Sequence, residues 1–212
     1  MKLFRVFLVC LFALLGGCST VKYAALEKVG VYKRDILVDR VEDAQQAQEK
    51  AKEKVVSAYE EFTKLVKVDG GDLESTYKRL NKTVEKTEKS AKEVDKRIAA
   101  IDKVAKDMFQ EWRDELKLYS SAALRKSSAE KLRDTQRRYQ RMITSMRRAR
   151  GRIDPVLHVF QDHVLFLKHN LNARALAALK NEVGSVEDKV DRLIEEMKKA
   201  TAEADAFIKT MP

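Results

Sequence analysis

LESTYKRLNKTVEKTEKSAKEVDKRIAAIDKVAKDMFQEWRDELKLY, residues 73–119, decides the fold. Read in alternating steps of four and three, it sets Leu73, Tyr77, Leu80, Val84, Thr87, Ala91, Val94, Ile98, Ile101, Ala105, Met108, Trp112, Leu116 and Tyr119 in one row. Apolar residues at that spacing share one face of an α-helix and form the seam of a coiled coil. Thr87 is the one clearly polar member, and a single step near Trp112 breaks the alternation. At 1.5 Å per residue the stretch predicts a rod of about 70 Å.

The same step pattern extends to either side. Leu37, Val41, Ala44, Gln48, Ala51, Val55, Ala58, Phe62 and Leu65 form an earlier row, closed by the turn Asp69-Gly70-Gly71-Asp72. A weaker third row follows Ser120 and Ser121 and uses Leu132, Tyr139, Ile143, Met146 and Ala149, ending near Gly151. Asp154 and Pro155 then read as the N-cap and first residue of a fourth helix. Its later part runs Leu176, Leu179, Val183, Val186, Val190, Leu193, Met197, Ala200, Ala204, Phe207 and Met211. The phase holds across Gly184 and Ser185, which favours one continuous helix over residues 155–210. The competing reading has Ser185 cap a separate fifth helix, with Asp188 completing a capping-box-like pair.

Composition agrees. Of 212 residues, 36% are charged and 44% hydrophobic, with only seven glycines and two prolines, too little punctuation for a sheet-rich chain. The expectation is an all-α protein, an elongated antiparallel bundle or coiled coil of about four long helices, with residues 31–212 as a single domain. A seam this strong is also able to pair between chains, so a homo-oligomer stays open.

The first residues have another purpose. Lys2 and Arg5 precede an apolar run from Val6 to Leu15, and Gly16-Gly17-Cys18 closes it. The run is too short for a spanning helix, which needs about 20 residues, and suits a signal peptide. Small residues before a cysteine resemble the lipobox of bacterial lipoproteins. Residues 1–17 are therefore expected to be cut away and Cys18 lipidated, with residues 18–30 a short lead-in to the domain. Ser19, where an aspartate would retain the protein in the inner membrane, favours the periplasmic face of the outer membrane. Cys10 leaves with the signal, so no internal disulfide is expected. With the first helix leaving the membrane and a longer second one returning, the turn from Leu118 to Lys126 is expected at bilayer level.

Four stretches resemble one family of Gram-negative envelope proteins, domain-of-unknown-function family 2959. They are Glu27 to Gly30, Lys33 to Glu42, Glu111-Trp112 with Glu115-Leu116, and Leu167 to Ala173. The resemblance covers the whole mature chain. It implies a helical envelope protein and supplies no activity.

A search for chemistry finds little. No glycine pattern forms a phosphate loop and there is no G-x-S-x-G. His158 and His169 share a face but lie about 16 Å apart along a helix. His158 with Asp162 supplies half a metal site at most, and His163 reads as an ordinary helical histidine. Trp112, flanked by Glu111 and Glu115, reads as a seam residue rather than part of an acid–base pocket. Catalytic residues, metal ligands and cofactors are expected to be none. Polar residues within apolar helices suggest a buried hydrogen-bond and ion-pair network of Arg34, Asp35, Asp39 and Arg40 with Lys168, His169 and Asn170.

The third segment is the outlier. Residues 125–152 hold eleven basic residues against Glu130 and Asp134, a balance of +9, whereas the whole chain without residues 1–17 carries +8. The rest is therefore nearly neutral. Arg133, Arg137, Arg138, Arg141, Arg147 and Arg148 are the candidate contacts for an anionic partner, since arginine binds phosphate and carboxylate in bidentate fashion. Sequence alone thus suggests a non-enzymatic scaffold or adaptor, anchored to the membrane by lipid and meeting an envelope protein. The alternative is a module for anionic lipid or another polyanion. Nucleic acid is not expected as a physiological partner, because export removes the protein from it.

Overall fold

In the computed structural model, which describes residues 32–67 and 73–211, every regular element is helical. The elements are α1 (Lys33–Val66), α2 (Leu73–Glu115), a 3-10 turn (Leu116–Leu118), α3 (Ala122–Gly151), α4 (Ile153–His169), α5 (Ala173–Lys180) and α6 (Val183–Lys209). The expected signal segment, Cys18, the lead-in to Gly30 and the turn Asp69–Asp72 lie outside the described residues.

The rows read from the sequence become the core. All nine residues of the first row are buried in α1, and the second row is buried from Leu80 to Met108. Their pairing is antiparallel. Lys33 meets Glu111, Asp43 meets Arg97 at 3.1 Å, the Lys54 carbonyl accepts from Thr87 at 3.1 Å, and Glu61 meets Arg79 at 3.2 Å. Each step up α1 is a step down α2, so the register is fixed along the pair.

The third column is α3 followed by α4, running antiparallel to α2. Trp112 Nε1 donates to Ser128 Oγ at 2.9 Å, Tyr139 reaches Asp102 at 2.6 Å, and Arg150 reaches Asp95 at 2.8 Å. Beyond Arg152, Phe160 packs on Phe62 with ring centres 6.1 Å apart. The fourth column is α5 with α6. Gln45 of α1 donates to Asp205 at 2.9 Å, and Tyr139 of α3 meets the Phe207 ring at 6.2 Å. The result is an all-α bundle of four columns running up, down, up and down.

The one helix expected over residues 155–210 is broken twice, at the reversal from the third column to the fourth and again within the fourth. Residues 155–210 are not continuous: α4 stops at Asn170, and Asn172 starts α5 by accepting the Ala175 N–H at 3.0 Å. The asparagine oxygen takes one of the N–H groups that a helix start leaves without an intrahelical partner. The second break, at Asn181 and Glu182, keeps right-handed helical dihedrals in both residues. That is why the apolar phase survives an interruption of the helix. Ser185 caps nothing, since α6 begins at Val183. The start of α4 also differs from expectation. Arg152 stays helical and no side chain caps the helix, while Asp154 accepts from Arg150 at 2.7 Å. Pro155 falls in the first turn, where a missing N–H costs no hydrogen bond.

Candidate functional site: the arginine face of α3

The core side of α3 carries Leu132, Thr135, Tyr139, Met142, Ile143, Met146 and Ala149. Its other positions hold the arginines, and their angular places sort them. At 100° per residue, Arg133, Arg137, Arg141 and Arg148 fall within an arc of about 80°, spanning about 22 Å along the axis. Arg147 and Arg150 lie on the flank facing α2, and Arg138 lies toward the C-terminal end of α6.

The α2 flank is fully engaged. Arg150, half-buried, forks to Asp95 at 2.8 Å and Asp154 at 2.7 Å. Burial works against its charge, but the hydrogen bonds and charges of those two carboxylates more than offset it and raise its pKa. Arg147 binds the second oxygen of Asp102, whose first oxygen accepts from the Tyr139 hydroxyl. Burial, then the hydrogen bond to Asp102, drives the Tyr139 phenol well above its ordinary range, so it stays a donor. Asp95 and Asp102 are one heptad apart on α2, which places both on the same flank of the seam. That spacing was the available signal for the pairing.

The outer arc differs. Arg133, Arg141 and Arg148 are exposed and make no ion pair or side-chain hydrogen bond among the described residues. Arg137 is exposed but held by Asp134 one turn back. Arg138 is partly buried and donates to the Thr210 carbonyl at 3.4 Å, tying down the end of α6. Of the six arginines that the sequence suggested, three are thus bare and three are engaged.

The bare arginines border a cleft. Arg141, Thr144, Ser145 and Arg148 of α3 face Lys199, Ala202, Glu203 and Ala206 of α6 across about 640 Å³ of open groove. A second hollow, bounded by Arg133, Gln136, Arg137, Gln140 and Arg141, continues it along α3. Ala202 and Ala206 keep the α6 wall low. Another chain can therefore approach the arginine row closely.

The expected buried polar network does not form. Arg34 pairs with its neighbour Asp35 at 3.1 Å and Arg40 with Asp43 at 3.0 Å, both partly exposed, and Asp39 is exposed. Lys168, His169 and Asn170 are exposed at the end of α4. The two sets cannot meet, because α4 passes Phe62, about 40 Å along α1 from Arg34. The buried polar side chains are instead Gln48, Thr76, Thr87, Thr135 and His163. Gln48 donates to the Met146 carbonyl at 3.0 Å, and His163 stacks on Phe62 at 4.7 Å. Trp112 is a half-buried packing residue beside a cleft of about 330 Å³, which also includes Tyr32, Lys33 and Glu111.

Among the described residues, no three His, Cys, Asp or Glu side chains are placed to hold a metal, and no helix is long and apolar enough to cross a membrane. The fold and this face define a class: an all-α antiparallel bundle with a concentrated arginine surface on one column. The chain belongs to the family described as Protein of unknown function (DUF2959), whose model matches residues 22–211. No curated protein and no solved structure matches it.

Proposed function

We propose that the protein is a lipoprotein of the outer membrane, lipidated at Cys18 and facing the periplasm, that works as a non-enzymatic helical adaptor. It presents the outer arc of α3, with the adjoining α3–α6 groove, to an acidic segment of another envelope protein. The observation that carries this reading is the bare row Arg133, Arg141 and Arg148, left unpaired on a helix whose other flank is matched to carboxylates.

The geometry favours a protein over a lipid headgroup for this row. Counted from Ala122 at the start of α3, Arg133 lies about 16 Å and Arg148 about 39 Å along the axis. With α3 standing along the membrane normal, headgroups at a single level cannot serve both, whereas an acidic chain lying along the groove can.

The test is photo-crosslinking in cells, with a photoreactive residue replacing Arg133, Arg141 or Arg148 in turn. A discrete adduct with one protein, strongest at Arg141 and Arg148, is the expected result. A diffuse adduct removed by stripping lipid or glycan would replace the adaptor with a polyanion-binding role.

A further inference from the structure

The large apolar side chains left exposed are not scattered. Among the described residues, Tyr32 (55% exposed), Leu118 (82%), Tyr119 (38%) and Leu124 (60%) lie at one end of the bundle. Leu165 and Phe166, near the end of α4, are the only others in that class. Three of the four at the first end belong to the turn between α2 and α3.

This end is also where the chain enters from Cys18. Lys33 pairs with Glu111, which sets the level of α1's first turn. The last turn of α2 and the 3-10 turn then carry the chain from Glu111 to Leu118, roughly 12 Å further. Among the described residues the α2–α3 turn therefore lies beyond the first turn of α1 at that end. Thirteen residues separate Cys18 from Tyr32, a span of at most about 45 Å when extended. A lipid on Cys18 thus keeps the turn within reach of the same bilayer.

The turn has the composition of an interfacial element. Residues 113–126 hold Arg113, Lys117, Arg125 and Lys126 against Asp114 and Glu115. Lys117 is held by Asp114 at 2.7 Å, while Arg125 and Lys126 are exposed and make no ion pair among the described residues. Leucines with a tyrosine, flanked by free cations, suit the headgroup region, where apolar groups leave water and cations meet anionic lipid. The carbonyls at the end of α2 bend into the 3-10 turn, and Ser121 caps α3 through the Leu124 N–H at 3.3 Å. Leu116 packs against the core from this turn, while Leu118 and Leu124 stay exposed.

We propose that the α2–α3 turn is a membrane-seating tip, in which Leu118, Tyr119 and Leu124 enter the interface of the bilayer that holds Cys18, with Arg125 and Lys126 on anionic headgroups. The tip makes a second contact beside the lipid anchor. This contact limits how far the bundle swings on its anchor, and so the height at which α3 presents its arginines. The choice of bilayer rests on the lipoprotein reading above, and the partitioning of the tip does not.

The experiment places a nitroxide at Ala123→Cys in the full protein purified from membranes and reconstituted in phosphatidylethanolamine–phosphatidylglycerol vesicles. Oxygen and nickel accessibility are compared with a label at Leu165→Cys, and the mass of the N-terminal peptide reports lipidation separately. The expected result is an oxygen-to-nickel ratio several-fold higher at position 123 than at 165. It should fall in the Leu118→Ser, Leu124→Ser variant, whose helicity is unchanged because both side chains face outward. A water-like ratio at 123 overturns the tip whatever the mass shows. Spin–spin broadening between two labels would overturn it in favour of a second copy of the chain. If Cys18 carries no lipid, the label is read on the Cys18→Ser chain with vesicles added. Partitioning there sustains the tip while the anchor reading fails, and a water-like ratio overturns both.

Discussion

The two flanks of α3 carry the same residue type and use it differently. On the side facing α2, Arg147 and Arg150 find Asp102, Asp95 and Asp154, and Tyr139 shares Asp102 with Arg147. On the outer arc, Arg133, Arg141 and Arg148 find no partner among the described residues. Charge that is matched belongs to the architecture, and charge left unmatched is available to something else. The composition of the segment, +9 over residues 125–152, hides this division.

The matched flank should bear the stability. Tyr139 is buried, meets the Phe109 ring edge-on at 5.5 Å and the Phe207 ring at 6.2 Å, and thereby joins three columns. Tyr139→Ala is expected to cost about 3–5 kcal/mol in urea unfolding, the range for removing a large aromatic from a core. Tyr139→Phe isolates the hydroxyl and its bond to Asp102, and should cost about 1–3 kcal/mol. If the two variants cost the same, the hydrogen bond rather than the ring joins the columns.

Arg150→Met comes next, at about 1–2 kcal/mol. The substitution keeps most of the packing and removes the fork to Asp95 and Asp154. Those carboxylates are 54% and 47% exposed and regain water once the guanidinium is gone. That is why the loss should stay below the 3–5 kcal/mol typical when a buried charge is stranded. A larger loss would mean that the α3–α4 joint at Arg152 depends on this fork for its shape.

A smaller effect, tied to pH, is expected where α4 packs on α1. His163 is buried against Phe62 and its Nδ1 has no hydrogen-bond partner. Burial lowers its pKa, and Lys189 acts in the same direction, while Glu182 and Asp162 oppose them. The unfolded chain takes up a proton near the ordinary value of 6.5, and the folded protein resists it. Stability present above that value should therefore fall as pH drops below it and through the lowered folded pKa. Comparing urea midpoints at about pH 5 and pH 7.5 for the protein and His163→Phe checks the sign. The protein should lose more than the variant on acidification.

The contrast between flanks also marks how far the sequence can be read. Periodicity found the seams because burial repeats every three or four residues, and from Leu37 to Leu65 every seam residue is buried. It could not find the two breaks between residues 155 and 210. Asn181 and Glu182 stay helical in dihedral angle, so the apolar phase crosses an interruption without a shift. Asn172 was legible as a cap, yet the phase kept across Gly184 and Ser185 favoured one continuous helix over the whole segment. The pairing of Arg147 and Arg150 depends on Asp95 and Asp102, about 45–55 residues away. A pattern taken from α3 alone carries no such information. The expected polar network failed for the same reason, since it joined two sets that the topology holds at opposite ends.

The smallest effect on stability, and the sharpest test of the comparison, is expected on the bare arc. Arg133→Gln, Arg141→Gln and Arg148→Gln together should leave the unfolding free energy from urea titration within about 0.5 kcal/mol of the original, as for surface sites away from packed features. The same triple should lower the salt concentration at which the protein leaves an immobilised polyglutamate column. The control removes equal charge from engaged positions, Arg137→Gln, Arg138→Gln and Arg147→Gln, with folding checked by circular dichroism. Net charge falls by three in both, so long-range attraction changes alike. Only the first triple removes side chains free to form close pairs, which salt screens less than distant charge. If both triples elute together, position on α3 does not matter and the arc is merely solvated charge. If the bare triple elutes clearly earlier, the unmatched flank is a binding surface in its own right, and the adaptor reading gains the property it most needs.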